Sequence, residues 1–249
     1  MRFRFIPIAA VIGAAAGPAA AATPIHAYTL EGSLADALGG PALTLVNGAT
    51  LGASGVSFTA DQGLALSSAA FADAHAFSIA LDFRFDDLDR YNRILNFDGS
   101  DNGLYIHEGD GLGAPAVTYY EGIAYNGATF GTGTIHQLLF AREDDGVSVY
   151  LDGVSALNAG AYSSSVASQA VKLFLDDQAE EAPSGFLDSV CIFNGRLGAG
   201  DAAALAAGGG CGNALVEGGV PEPASWVLLV GGFGLVGGTL RSRRIAFAA

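Results

Sequence analysis

An alternating stretch at residues 77–85 limits the possible folds of this chain more than any other part of its sequence. Phe77 and every second residue after it are large and apolar, whereas Ser78, Asp82 and Arg84 lie at intervening positions. A period of two places consecutive side chains on opposite faces of a β-strand. The stretch therefore predicts a strand with one face in a hydrophobic core and the other in water.

Several other short segments share this pattern, and Asp-Gly pairs typical of tight turns separate some of them. Many short strands with little helical periodicity predict an all-β fold, an antiparallel β-sandwich or jelly roll, over residues 23–211. The further predicted strands are residues 93–97, 104–107, 116–120, 137–142, 147–151, 171–175 and 186–193, with turns at Asp98-Gly99, Asp145-Gly146 and Asp152-Gly153.

One short helix is predicted at the end of this domain. Asp201 is a residue type that caps helix N-termini, and the Ala- and Leu-rich residues 202–207 favour a helix. The glycines at 208–210 would end it. The Gly-rich residues 212–219 that follow are typical of a flexible linker.

The first 22 residues are typical of a signal peptide. A basic start precedes an apolar run at residues 5–16, which is too short to span a bilayer comfortably, and Gly17-Pro18 interrupts any helix. Small residues follow, as at a cleavage site. We expect cleavage after Ala22, so that the mature chain starts at Thr23.

The C-terminal segment has the features of a membrane anchor. Residues 224–240 are apolar and reach roughly the minimum of 17 residues needed for a transmembrane helix. A basic tail follows at once, and it is expected to stay in the cytoplasm. The residues that flank the span are Val220, Pro221, Glu222 and Pro223 before it and Arg241, Arg243 and Arg244 after it.

The order of Pro-Glu-Pro triad, apolar span and basic tail over residues 220–244 resembles the PEP-CTERM sorting signal. The resemblance implies recognition by exosortase, a membrane peptidase of Gram-negative bacteria that make exopolysaccharide, with processing of the span. It also implies export to the cell envelope or extracellular matrix, after transient anchoring in the inner membrane. An ordinary tail anchor would have a similar apolar helix and positive flank.

The charge of the chain excludes some partners. All 25 acidic residues lie between Thr23 and Glu222, with only six of the 11 basic residues, which gives this region a net charge of −19. Such a surface repels nucleic acid and anionic lipid, and it offers carboxylate oxygens to divalent cations. We expect no nucleic-acid partner.

The two cysteines favour a disulfide. Cys191 and Cys211 form an even set in a chain expected to be exported, and no histidine lies near either in sequence. Pairing within the chain would close a loop of about 20 residues. Pairing between two molecules is also compatible with the count.

The region between the terminal segments resembles the LamG, or concanavalin A-like, lectin/glucanase domain. The segments that carry the resemblance are residues 28–36, 77–85 with 93–97, 135–142 with 149–153, and 185–194. It implies a β-sandwich followed by a short Leu- and Ala-rich helix. Such domains usually have Trp-His where this chain has Ile135-His136.

The same resemblance implies a calcium ion held by an acid near the first strand and an aspartate of the last long strand. The matching residues here are Glu31 or Asp36, and Asp188. Calcium prefers several oxygen ligands, and Asp188 interrupts an apolar strand in which a buried unpaired carboxylate would be costly. Asp188 could instead face solvent.

The acidic residues do not have the spacing of a glycosidase, which needs two carboxylates about 5–10 Å apart. Asp82 and Asp86 come closest to alternation, but they lack the Glu-x-Asp-x-x-Glu pattern of laminarinase-type enzymes. We therefore expect no catalytic residues. The acid-rich groups are Asp86-Asp87-Leu88-Asp89, Glu143-Asp144-Asp145, Asp176-Asp177 and Glu180-Glu181, all in predicted turns.

The histidines show no metal-site spacing, and the densest aromatic group suits strand packing better than a sugar-binding face, because aromatic residues are favoured in strands. The histidines are His26, His75, His107 and His136. The aromatic group is Tyr119, Tyr120, Tyr125 and Phe130.

Together the features predict an exported, non-catalytic module that binds a glycan or a surface protein. The alternatives are a hydrolase acting on extracellular polysaccharide and a structural surface protein without a discrete ligand. The fold alone does not choose among them.

Overall fold

The computed structural model describes residues 22–88, 91–97, 103–107, 115–119, 130–144, 146–160, 170–175, 183–208 and 210–211. All of them belong to one compact unit. The predicted linker, the sorting signal and all but the last residue of the predicted signal peptide lie outside these ranges. Within them, no helix is both long and apolar enough to span a membrane.

The described strands form two antiparallel sheets. In chain order they are β1 (His26–Tyr28), β2 (Thr44–Val46), β3 (Thr50–Leu51), β4 (Val56–Phe58), β5 (Gly63–Leu66), β6 (Phe77–Phe85), β7 (Tyr91–Asn96), β8 (Gly103–His107), β9 (Ala116–Tyr119), β10 (His136–Glu143), β11 (Gly146–Leu151), β12 (Val154–Ala159), β13 (Val171–Leu173) and β14 (Gly185–Asn194). The eight-stranded sheet has the order β12-β11-β10-β6-β14-β4-β3, with β1 also paired to β14, and the six-stranded sheet has the order β2-β5-β13-β7-β8-β9. The predicted all-β sandwich is confirmed.

The central strand of the larger sheet is the alternating stretch, β6. It pairs with β10 on one side and β14 on the other. Its large apolar side chains point to the interior between the sheets, where Phe83 and Phe85 are fully buried. They join an aromatic core in which the rings of Phe58 and Phe174 stack with centroids 4.3 Å apart.

Most of the outer face of β6 is not in water, so that prediction is wrong for Ser78 and Asp82, whereas Arg84 is partly exposed. Ser78 is fully buried, and Asp82 is only 6% exposed. A second hydrophobic cluster covers this face, because the C-terminal part of the chain folds back across the sheet. Its members are Ala27, Ala80, Leu139, Tyr150, Cys191, Phe193, Ala202, Leu205 and Cys211.

The covering element is the helix α1 (Ala199–Ala207). It begins three residues earlier than expected, after Gly198, so Asp201 lies in its first turn rather than at the N-cap. There the Asp201 carboxylate accepts a hydrogen bond from the Gly198 backbone N–H (2.9 Å). The helix ends before Gly208, as predicted, because glycine readily terminates helices.

A disulfide joins this C-terminal segment to the sheet. Cys191 of β14 bonds to Cys211 beyond the helix, with their Cα atoms 5.6 Å apart. The predicted pairing of the two cysteines is confirmed, and it is within the chain. The bond fixes the last described residues against the outer face of the larger sheet.

Candidate functional site

Three polar side chains form a row across the outer face of the larger sheet. Gln137 of β10 lies opposite Asp82 of β6, and Ser189 of β14 lies opposite the same aspartate on its other side. Opposite residues in antiparallel strands hold their side chains close together on one face. Strand register alone therefore brings these groups together from three distant parts of the sequence.

The row is part of an open pocket of about 350 Å³. The sheet forms its base, and the end of α1 and the segment after it form one wall. The described residues that line it are Asp82, Ile135, Gln137, Asp152, Asp188, Ala206 and Gly210.

Asp82 is held firmly at the base of this pocket. Its Oδ2 accepts hydrogen bonds from the Ser189 hydroxyl and from the Cys211 backbone N–H (2.8 Å). Burial, together with the nearby charge of Asp188, raises the pKa of the Asp82 carboxyl above its usual range. Gly210 passes so close, at φ +77°, that a Cβ there would overlap this carboxylate.

Gln137 is the unusual member of the row. The residue is only 8% exposed, yet neither Nε2 nor Oε1 of its amide has a hydrogen-bond partner among the described residues. Buried polar groups are nearly always paired, and leaving one unpaired costs about 1–3 kcal/mol. A donor and an acceptor without partners therefore lie at the lining of the pocket.

Asp188 and Asp152 lie on opposite sides of the row. Asp188 is an extra residue at a β-bulge, since the register of β14 against β6 shifts between Leu187 and Ser189. The residue as a whole is exposed. Partial burial of its carboxyl group, together with the charge of Glu31, nevertheless raises the pKa of that group. β-Bulges commonly redirect a side chain near a site.

Asp152 lies in the predicted Asp-Gly turn, which is confirmed between β11 and β12. Both Asp152 and Gly153 have positive φ, as a two-residue hairpin turn requires. The Asp152 carboxylate accepts from the Gln137 backbone N–H (2.9 Å), and its second oxygen pairs with His136 Nδ1 (2.8 Å). The turn thus orients the start of β10 beside the pocket.

Asp36, one of the residues expected to bind calcium, has protein partners for both carboxylate oxygens. Asp36 is buried, and its carboxylate accepts from the backbone N–H groups of Ala27, Leu38 and Gly40 and pairs with His26 Nδ1 at 2.6 Å. Burial alone would raise the pKa of Asp36, but these partners hold it below its usual value. Nowhere in the described ranges do three or more His, Cys, Asp or Glu side chains lie close enough to hold a metal ion.

The acid-rich turns have local partners where the structure describes them. Asp86 accepts from Arg84 Nε (2.6 Å), and Asp87 accepts from the Ser184 backbone N–H (2.9 Å). Glu143 and Asp144 are exposed. Asp89, Asp145, Asp176-Asp177 and Glu180-Glu181 lie outside the described residues.

Tyr119 and Phe130 pack in the core, as predicted, while Tyr120 and Tyr125 lie outside the described residues. The outer face of the smaller sheet has aromatic and polar groups of its own, which the sequence did not single out. The guanidinium of Arg93 lies over the Tyr105 ring at 4.1 Å, and the rings of Tyr91 and His107 are 4.4 Å apart. Arg93 and His107 are buried.

A family model for the concanavalin A-like lectin/glucanases superfamily, Laminin_G_3, matches residues 58–203. The chain belongs to this superfamily. The matched range covers the strands from β5 to β14 and the first part of α1. The match extends through β6, β10 and β14, so the three strands that position the pocket belong to the family fold. No curated protein matches the sequence.

Solved structures share this concanavalin A-like fold at low sequence identity. Domain 4 of AbnA, a GH43 extracellular arabinanase from Geobacillus stearothermophilus in complex with arabinotriose, is 17% identical with a TM-score of 0.60, over 75% of this chain and 99% of that domain. Trypanosoma rangeli sialidase is 14% identical with a TM-score of 0.54, over 73% of this chain. The match spans only 32% of the sialidase chain. At these identities the likeness shows the fold alone.

Proposed function

We propose that this protein is an exported, non-catalytic module that binds a glycan in the pocket on the outer face of the larger sheet. The unpaired amide of Gln137 carries the proposal. A sugar hydroxyl can donate to Oε1 and an adjacent one can accept from Nε2, which satisfies both atoms. Ligand sites commonly combine a concave surface with a few such polar groups that fix orientation.

The neighbouring fold supports a carbohydrate ligand. The arabinanase domain is a separate domain of an extracellular enzyme, and its structure contains arabinotriose. A concanavalin A-like domain of similar size can therefore accompany oligosaccharide recognition. We extend that use to this chain, with extracellular polysaccharide as the partner and a surface protein as the other candidate partner.

The location of the protein is proposed from the terminal segments. We infer that residues 1–22 direct export and that residues 220–244 are read by exosortase, with residues 224–240 in the inner membrane before processing. Replacing Pro221 and Glu222 by alanine should leave the unprocessed chain in the membrane fraction, and wild-type processing of this variant would refute the sorting role. Conservative replacement of Val220 by Ile is the matched control.

Calcium remains a proposal for Glu31 and Asp188. The charge of Glu31 acts on the Asp188 carboxyl, whereas Asp36 has its own partners. Backbone carbonyls would have to complete the coordination. Calcium uptake by the wild-type protein that is unchanged in Asp188→Ala would refute this assignment.

One observation favours a hydrolase as the second candidate. Asp82 and Asp188 share a pocket, and the pKa of each is raised, as the general acid of a glycosidase requires. Release of reducing sugar that disappears in both Asp82→Asn and Asp188→Asn would support it. Binding without release would favour the non-catalytic module.

The decisive experiment is retention of the full-length protein on the exopolysaccharide of the producing cells, with calcium and with a chelator. We expect retention, and we expect Asp188→Asn and Gln137→Met to reduce it while the exposed control Glu143→Gln does not. Retention that requires calcium would add the cation to the mechanism. No retention in either buffer would refute glycan binding and point to a protein partner or a purely structural surface role.

A further inference from the structure

The described residues that line the pocket carry an excess of negative charge. Three carboxylates lie there, those of Asp82, Asp152 and Asp188, and the seven described lining residues include no Lys, Arg or His. The basic residue two positions beyond Asp82 on β6, Arg84, pairs with Asp86 instead. Asp152 has a basic neighbour in the described part of the chain, since His136 Nδ1 contacts its Oδ2.

Both oxygens of Asp152 have partners, so Asp82 and Asp188 are the carboxylates available to a positive group. Both hydrogen bonds to Asp82 go to Oδ2, which leaves Oδ1 for a ligand. Asp188 directly precedes Ser189 on β14, the strand beside β6. The charge of Asp188 acts on the Asp82 carboxyl. A cation between the two aspartates would offset their mutual repulsion, whereas a neutral hydroxyl would not.

The size of the pocket and the amide of Gln137 argue against a bare metal ion as the occupant. A volume of about 350 Å³ suits a small organic molecule rather than one ion. A metal ion would bind Oε1 of Gln137 and leave Nε2 buried without an acceptor. A ligand with hydroxyl groups beside its positive charge would satisfy both atoms of the amide and the carboxylates together.

We propose that the pocket selects a sugar unit that carries a primary ammonium group beside hydroxyls, an amino sugar, with the ammonium at Asp82 and Asp188 and a hydroxyl pair at Gln137. The inference rests on the proposed glycan-binding role of the pocket and names the chemical class of its ligand. It adds a charge requirement that glycan binding alone does not impose. Ile135, Ala206 and Gly210 supply the apolar part of the wall.

The test is calorimetric titration of the full-length protein with D-glucosamine in slightly acidic buffer, where its amine is protonated. We expect binding about tenfold tighter than that of D-glucose, which has a hydroxyl in place of the amine. N-acetylglucosamine, in which the charge is removed, should bind no better than D-glucose. Equal affinity for all three sugars would overturn the proposal.

Two variants separate a ligand contact from a structural role. Asp188→Asn should abolish the preference for glucosamine over glucose, while Glu143→Gln, an exposed acid at the far end of β10, should keep it. Gln137→Met should weaken the binding of both sugars yet raise the melting temperature, since it removes an unpaired buried amide. A lower melting temperature with unchanged sugar affinity would overturn the role of Gln137.

A calcium titration distinguishes a metal ion from an amino sugar as the occupant of the pocket. If calcium chloride binds in an Asp188- and Gln137-dependent manner and glucosamine does not bind, the pocket is a metal site and the proposal fails. If the exopolysaccharide is retained but glucosamine shows no preference over glucose, glycan binding stands and the amino-sugar inference alone is wrong.

Discussion

Replacement of Asp36 by asparagine should destabilise the fold strongly, and the structure sets the size of the effect. The Asp36 side chain is completely buried, and its two oxygens serve four partners. Asparagine has one acceptor oxygen, so in either orientation its amide nitrogen faces two of those partners. At least one of them is a backbone N–H that has no other acceptor in the described structure.

Hydrogen bonds to a charged acceptor contribute about 1.5–3 kcal/mol each, and losses within one network are not additive. We therefore expect Asp36→Asn to lower the free energy of unfolding by about 3 kcal/mol. With a urea m-value of roughly 2 kcal/mol/M, the unfolding midpoint should fall by about 1.5 M. Circular dichroism in urea measures this shift directly.

The control and the calcium arms make the test specific. Asp144→Asn changes an exposed acid and should stay within about 0.5 kcal/mol of wild type. The loss in Asp36→Asn should be equal in chelator and in calcium, because the partners of Asp36 are protein groups. A loss below about 0.5 kcal/mol, or one that appears only with calcium, would refute this account of Asp36.

Three further results are expected from the segment that covers the larger sheet, α1 through Cys211, and from its contact with Asp82. Replacing Cys191 and Cys211 by serine should cost about 3 kcal/mol in thermal unfolding, and an unchanged melting temperature after reduction would contradict this. Gly210→Ala should lower the free energy of unfolding by at least about 1–2 kcal/mol, because Gly210 has a positive φ. The control Gly200→Ala should not destabilise the fold, because Gly200 has open space around it. Equal effects of the two substitutions would refute the strain argument. Burial and a neighbouring carboxylate raise the pKa of Asp82, so the folded state binds a proton more tightly and stability should fall as pH rises from about 4 through the folded pKa. Asp82→Asn should flatten that slope, and an unchanged slope would show that other groups cause it.

Most of the longer strands could be predicted from local sequence patterns. The alternation at 77–85 matches β6 at both ends, and the predicted strand at 186–193 lies within β14 (Gly185–Asn194). The Asp-Gly pair at 152–153 marks a real hairpin turn. Such features depend on the preferences of neighbouring residues, and these are present in the sequence itself.

The earliest short strands were harder to predict. β2 (Thr44–Val46) and β3 (Thr50–Leu51) contain three and two residues, too few to show a period. They are strands because longer partners supply their hydrogen bonds. Tertiary pairing rather than local propensity decides segments of this length.

The sequence by itself determined the sandwich, the main strands and the disulfide partners, because periodicity, turn chemistry and two lone cysteines are local or countable properties. The tertiary structure alone decided the site. The prediction that Asp82 faces water failed because the cover over it, α1 and the segment through Cys211, comes more than 100 residues later in the chain. Gln137, Asp82 and Asp188 meet only through the register of three strands, and no spacing along the chain encodes that meeting.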